Sequence, residues 1–223
     1  MFISKQQPTS RPGAILAWLC FVVIVISLSG CAGWQEKNIT RHGIHFDKLR
    51  TEELQMQPGT TVITGRLAEN SEIDGFPCAR GFIVFHDNWT LKEFKLFRSH
   101  PFREFVMPTD SWVFPDRNGN IITCIFPRDV EIQGHLCRGG KGGTEGVQTT
   151  FHKNGSLSSY FSREDIVVNG IPCLGSVLHP VRLHANGQLQ SCTLSRTVVI
   201  ESMELLKKTR ISFDDSGGFV GAK

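Results

Sequence analysis

The sequence predicts an all-β fold: stacked β-hairpin repeats of about 30–36 residues each, following an N-terminal signal helix, in an elongated sheet or solenoid-like array. Three observations predict it. Asn118-Gly119, Asn154-Gly155 and Asn186-Gly187 each sit between short apolar, β-favouring runs. Asn-Gly suits a type I′ hairpin turn, whose two central residues both need positive φ. Around these turns the same residue types recur in register. His86, Asp116, His152 and His184 precede the turn, while Leu91, Ile121, Leu157 and Leu189 follow it. Then come Phe94, Cys124, Tyr160 and Cys192, and further on Phe102, Ile132, Val168 and Ile200. Third, side chains alternate: Val147, Thr149 and Phe151 share one face, opposite Leu157, Ser159 and Phe161.

The chain opens with a targeting segment, residues 1–30. Lys5 and Arg11 give a positive start, and Ala14 to Leu28 is an uncharged apolar run ending at Ser29, Gly30 and Cys31. This order is that of a secretory signal, and the run is short for a permanent membrane span. The net charge of +3 owes much to Lys5 and Arg11. The remainder is close to neutral and has no concentrated basic face, so no nucleic-acid partner is expected. With 40% hydrophobic residues the chain has the material for a core.

Residues 31–57 are polar and weakly patterned and read as a tether, with a short helix near Thr51 to Gln55 as one option. Residues 58–223 form the repeat domain. Gly65 to Leu67 followed by Ile73 enters the register at the front. Each unit then reads as a hairpin, a loop, a short strand such as Val130–Ile132 or Ile166–Val168, and a Gly-x-x-Cys corner. That corner is Gly75-Phe76-Pro77-Cys78, Gly134-His135-Leu136-Cys137 and Gly170-Ile171-Pro172-Cys173. Proline there belongs at an edge, because it cannot donate to a ladder. Asn88-Trp89 stands where the other units have Asn-Gly, and since Trp tolerates positive φ poorly that turn is expected to differ. Leu91, Phe94 and Phe97 have helical spacing, but the register makes this stretch a strand. For Ser202 to Lys208 a short helix stays open. Asp215-Ser216-Gly217 is a last, degenerate copy of the turn.

Leu28-Ser29-Gly30-Cys31 resembles the lipobox of bacterial lipoproteins. The resemblance implies cleavage after Gly30, a diacylglyceryl group on the Cys31 sulfur, and acylation of the new N-terminus. Several acyl chains hold a protein stably where one does not. Ala32 follows, where Asp would mark inner-membrane retention. The implied place is therefore the outer membrane of a two-membrane cell, facing the periplasm, or otherwise the cell membrane, outside the cytoplasm. FHKNGSL and LHANGQL resemble the MORN-variant repeats of bacterial repeat proteins, which are stacked β-hairpins. The longer unit, carrying Gly-x-Pro-Cys, is similar to repeats of uncharacterised exported bacterial proteins. The resemblance implies fold and interaction, and no catalytic residue.

The candidate sites are few. The cysteines after the signal form two columns, Cys78/Cys137/Cys173 and Cys124/Cys192. A small buried hydrophobe recurring with the unit accounts for them. A disulfide is the rival, with Cys124 and Cys137 the preferred pair because only that unit fills both columns. The widely separated cysteines do not suit zinc, and no metal or cofactor is expected. His86, His152 and His184 form a column beside the turns, as half-exposed contacts with a partner. Gly139 to Gly146, with Lys141, reads as an inserted contact loop. It fails as a phosphate loop, since His135 stands at the first Gly position and Gly142 follows Lys141. Neither Gly-x-Ser-x-Gly nor His-Glu-x-x-His occurs, and Asp214-Asp215 reads as a turn cap.

The expected function is a membrane-anchored binding or scaffold module, not an enzyme. Its partners would be the membrane, through lipid at Cys31, and an envelope protein or polysaccharide. An envelope enzyme with an unfamiliar site, or an antitoxin- or immunity-like repeat protein, are the alternatives.

Overall fold

The computed structural model describes residues 33–53, 59–140 and 146–223. Trp34–Lys223 forms one compact unit. The segment read as a signal, Gly30 and Cys31 with their expected cleavage and lipidation, and Lys141 lie outside the described residues.

This unit is all-β. It opens with β1 (Glu36–Arg41), β2 (Ile44–Glu53) and β3 (Thr61–Leu67). A short ribbon follows, β4 (Ser71–Ile73) with β5 (Phe76–Cys78), then a longer hairpin, β6 (Gly81–His86) with β7 (Leu91–Lys95). Ribbon and hairpin then alternate. The second ribbon is β8 (His100–Phe102) with β9 (Phe105–Met107), and its hairpin is β10 (Trp112–Pro115) with β11 (Ile121–Ile125). The third ribbon is β12 (Val130–Ile132) with β13 (His135–Cys137), and its hairpin is β14 (Gln148–Phe151) with β15 (Leu157–Tyr160). The fourth is β16 (Ile166–Val168) with β17 (Ile171–Cys173), followed by β18 (Val181–Leu183) and β19 (Leu189–Thr193). The last is β20 (Val198–Ile200) with β21 (Met203–Leu205), followed by β22 (Arg210–Phe213) and β23 (Phe219–Ala222).

Among the described residues the hairpins join into one 13-stranded antiparallel sheet in chain order, and the five ribbons remain separate two-stranded pieces. The sheet is open, since β1 and β23 do not pair. Its inner face and the ribbons share one core. Phe85, Phe94, Val113, Cys124, Tyr160 and Cys192 from the sheet cluster with Ile73, Met107, Ile132 and Val168 from the ribbons. A hairpin alone cannot bury its apolar face, so each ribbon covers the sheet locally and neighbouring units complete the core.

The Asn-Gly turns are not type I′. Only the glycines have positive φ there, 80° at Gly119, 80° at Gly155 and 84° at Gly187. Gly155 N–H donates to the His152 carbonyl at 2.7 Å, and His152 N–H to the Ser156 carbonyl at 2.9 Å. This is a type I turn closed by a glycine in the left-handed region, with a bulge that shifts register between Thr150 and Phe151. Because of that shift Leu157 and Tyr160, three apart, both point into the core. The same bulge in β7 sets Leu91 and Phe94 at a spacing that imitates a helix, although the segment is a strand.

Trp89 adopts this turn too, contrary to expectation. Its φ is 65°, and its N–H donates to the His86 carbonyl at 3.0 Å, as glycine does in the other units. Left-handed backbone costs a residue with a Cβ about 1 kcal/mol. Aromatic packing offsets that: the indole lies 5.5 Å from the Phe85 ring and 4.6 Å from His42. Turns with positive φ at both central residues, as type I′ requires, close four of the five ribbons instead; in the β8–β9 ribbon only Arg103 has positive φ. Asn169 and Gly170 have φ of 48° and 81°, and Gln133 and Gly134 have 51° and 79°. Pro77 and Pro172 sit inside these ribbons, paired with Glu72 and Val167, and their carbonyls accept from Phe97 and Ser195 N–H, each at 3.0 Å.

Two further readings of the sequence need correction. Much of the segment read as a tether is sheet: β1 and β2 pair with each other, and β2 pairs with β3. A register shift between Phe46 and Lys48 breaks the alternation that would have revealed it, leaving buried Phe46 and Leu49 three apart. Thr51 to Glu53, read as the start of a helix, pair with Ile63 to Thr61. Met203–Leu205 is likewise a strand, paired with β20, so the helix left open over 202–208 is not formed.

Candidate functional site

The sheet has a second face, turned away from the ribbons. Register fixes what it presents. Thr123 pairs with Thr150, Thr150 with Ser159, Ser159 with Arg182, Arg182 with Ser191, and Ser191 with Ser212. One row of hydroxyls with a single guanidinium thus crosses six consecutive strands, spaced about 4.8 Å apart by the strand separation. Small hydroxyl side chains suit this face, where strand propensity is wanted but bulk is not.

At its C-terminal end the row opens into a groove of about 600 Å³ between β18, β19, β22 and β23. Arg182, Arg210, Lys223 and His184 line it together with Ser191 and Ser212, and no Asp or Glu side chain does. Arg182 and Arg210 make no ion pair among the described residues. Their donors are therefore available to an anion, and guanidinium forks match carboxylate and phosphate geometry.

The histidine column is committed elsewhere. His152 Nε2–H donates to the Leu183 carbonyl at 3.0 Å and His184 Nε2–H to the Phe213 carbonyl at 2.9 Å. His86 Nε2 lies 3.4 Å from the Pro115 carbonyl. Each ring ties its own hairpin to the next one. Where the column holds Asp, no donor is available and the carboxylate folds back on its own turn. Asp116 accepts from Asn118 and Asn120 N–H, and Asp214 from Ser216 and Gly218 N–H. These bonds hold both carboxyls below the usual aspartate range. Of the three histidines, His184 lines the groove.

The glycine-rich stretch is anchored at its start. Gly139 N–H donates to Asp129 Oδ1 at 2.9 Å, and its carbonyl accepts from Arg163 Nη2 at 2.9 Å. Arg163 Nε also reaches both Asp129 oxygens, which lowers the Asp129 pKa. A Cβ on Gly139 would fall 2.0 Å from the Arg128 carbonyl oxygen, so close backbone approach explains this glycine. Lys141 and residues 142–145 lie outside the described residues.

The five described cysteines are free and buried. Cys124 does not face Cys137. Its thiol lies 3.8 Å from the Met107 sulfur, while Cys137 sits beneath Tyr160 and its thiol donates to the His135 carbonyl at 3.6 Å. The reason is topological. Each ribbon packs on the hairpin that follows it, so Cys124, on the preceding hairpin, belongs to the Met107 ribbon. Burial pushes the Cys137 thiol up to about 12, and those of Cys78 and Cys124 higher still. Among the described residues no group of three or more His, Cys, Asp or Glu side chains is placed to hold a metal ion.

Sequence reasoning missed the hydroxyl row and the placing of Arg182 and Arg210 on one groove. Both depend on cross-strand register, and the bulges hide that register in the linear pattern. No family model matches the chain, and no curated protein or solved structure matches it.

Proposed function

We propose that the protein is an exported, lipid-anchored binding module of a bacterial envelope, and that its repeat sheet holds an anionic polysaccharide. The groove at the C-terminal end of the hydroxyl row carries this reading, because two guanidiniums without an ion pair line it and no carboxylate side chain does. Hydroxyls repeated from strand to strand suit a ligand that is itself a repeating polyol, and the arginines supply charge-assisted bonds to its acidic groups. The LSGC motif at residues 28–31 supports anchoring through Cys31.

The test is equilibrium binding of the full chain in detergent to oligogalacturonate, with neutral dextran oligosaccharides as control. Wild type binds the acidic series, and the affinity falls as salt is raised. The double variant Arg182→Ala/Arg210→Ala loses at least about tenfold, roughly 1.4 kcal/mol. Equal affinity for both series, or unchanged binding in the double variant, refutes the reading. Palmitate labelling lost in Cys31→Ala tests the anchor separately.

A further inference from the structure

The ribbon-on-hairpin packing recurs in every central unit, so equivalent positions can be compared. Ala79 N–H donates to the Lys95 carbonyl, Arg138 N–H to that of Phe161, and Leu174 N–H to that of Thr193, each at 2.7 Å. Cys78 and Cys173 form bridges to Leu96 and Leu194. The residue two before each bridge partner shares its face and lies diagonally across from the cysteine. In the first unit that residue is Phe94, opposite Cys78; in the third it is Tyr160, opposite Cys137. The second unit places Met107 against Cys124, with sulfurs 3.8 Å apart. In the fourth unit alone both positions are cysteine: Cys173 faces Cys192. Both are buried in the same core cluster, and the Cys173 thiol donates to the Ile171 carbonyl at 3.5 Å.

We infer that Cys173 and Cys192 are a disulfide-forming pair, which staples the β16–β17 ribbon to strand β19 when the chain folds in the presence of a disulfide oxidant. The chemistry balances with a dithiol in its oxidised form as co-reactant. One cysteine thiolate attacks the oxidant's S–S bond and releases one thiol, giving a mixed disulfide. The second thiolate displaces the other sulfur as a second thiol. Two S–H bonds are lost from the protein and two are gained by the oxidant. Cys173 is fully buried in the folded unit, and its neighbour and its burial both hold its thiol in the protonated form. The exchange therefore belongs to folding, before the ribbon closes, and the finished bond is shielded from reductant.

The experiment refolds the full chain from denaturant in detergent with oxidised and reduced glutathione, traps free thiols with N-ethylmaleimide, and maps the peptides. The expected result is one linked pair, Cys173–Cys192, 2 Da lighter than the dithiol by loss of two hydrogens, with Cys78, Cys124 and Cys137 alkylated. Tm should rise by about 5–10 °C over the reduced protein, the gain being absent in Cys173→Ser/Cys192→Ser. Should refolding fail, acid-quenched membranes from expressing cells, mapped in the same way, give the same readout. Alkylation of both Cys173 and Cys192 in the oxidised sample, or linkage of either to another cysteine, overturns the inference.

Discussion

At the scale of single residues, the molecule shows where a repeat tolerates exceptions. The position of Thr149 is held by Ile83, Val113, Val181 and Ile211 in neighbouring hairpins, all buried. Thr149 is buried as well, and its hydroxyl has no hydrogen-bond partner. Replacing an unsatisfied hydroxyl by an isosteric methyl removes a desolvation penalty. Thr149→Val should therefore stabilise the protein by about 1 kcal/mol, read as a higher denaturant midpoint at constant slope; a lower midpoint would show that the hydroxyl has a partner after all. A second exception is His135, where the other units have the apolar Phe76 and Ile171. Its Nδ1 is hydrogen-bonded to the buried Tyr160 hydroxyl at 2.8 Å, and burial holds the imidazole below its ordinary 6.5. Below pH 6.5 the unfolded chain then binds more protons than the folded one, so this contribution is complete above 6.5 and is lost on acidification. Burial lowers His86 in the same sense, while Glu93, raised by burial from 4.5, acts in the opposite sense. Asp129, depressed below 3.8, matters only at lower pH. Melting curves from pH 7 to 5 isolate His135 by difference, since His135→Gln should flatten the fall in Tm while leaving the other groups in place. Parallel curves for the two proteins would refute the assignment.

At the scale of elements, the bulge frees a backbone N–H, and in two hairpins the neighbouring ribbon turn supplies its acceptor. Leu189 N–H donates to Asn169 Oδ1 at 2.8 Å, and Leu157 N–H to Gln133 Oε1 at 2.9 Å. Asn169 thus serves twice, as a left-handed turn residue and as the acceptor for a buried donor. Asn169→Gly should keep the turn and lose the bond, costing about 1 kcal/mol. Asn169→Ala should cost about 2 kcal/mol, because it also strains the turn. Denaturant midpoints for the two variants check this, and equal losses would mean that the turn conformation contributes nothing. This double role also shows what the sequence could and could not reveal. Repeat period, strand content and unit boundaries were legible, because Gly119, Gly155 and Gly187 are needed for their backbone conformation wherever the hairpin recurs. Turn type was not legible: Asn-Gly fits both the bulged turn at Asn154 and the two-residue turn at Asn169, and only the strand register separates them. The Cys124–Cys137 pairing failed for a related reason. Columns in a sequence align equivalent positions, but contact runs from a ribbon to the next hairpin. Arg182 and Arg210 carried no local motif at all, since an open sheet face brings them together only after both strands are paired.

At the scale of the whole molecule, contacts run chiefly between consecutive units, so stability should accumulate as a chain of nearest-neighbour terms. The sheet order follows the sequence throughout, with no crossover that would lock distant units together. A deletion that respects the period should then leave a folded protein. Removing residues 155–186 joins Asn154 to Gly187 and restores an Asn-Gly turn between β14 and β19. It takes out β15, β18 and the ribbon between them, so β14 meets a strand equivalent to its lost partner. The shortened protein should unfold cooperatively, with a denaturant slope lower by about one sixth, in proportion to the surface no longer buried. Removing only residues 163–178 is the informative contrast. The sheet strands remain, but the β16–β17 ribbon is gone, and Tyr160, Leu189 and Cys192 lose their cover from Val168 and Cys173. That smaller deletion should be the more damaging of the two, with early loss of structure around β15, β18 and β19 by hydrogen exchange. If the period-matched deletion were the one that failed to fold, the units would be coupled over longer range than neighbour packing provides. The open sheet would then have to be treated as a single cooperative body.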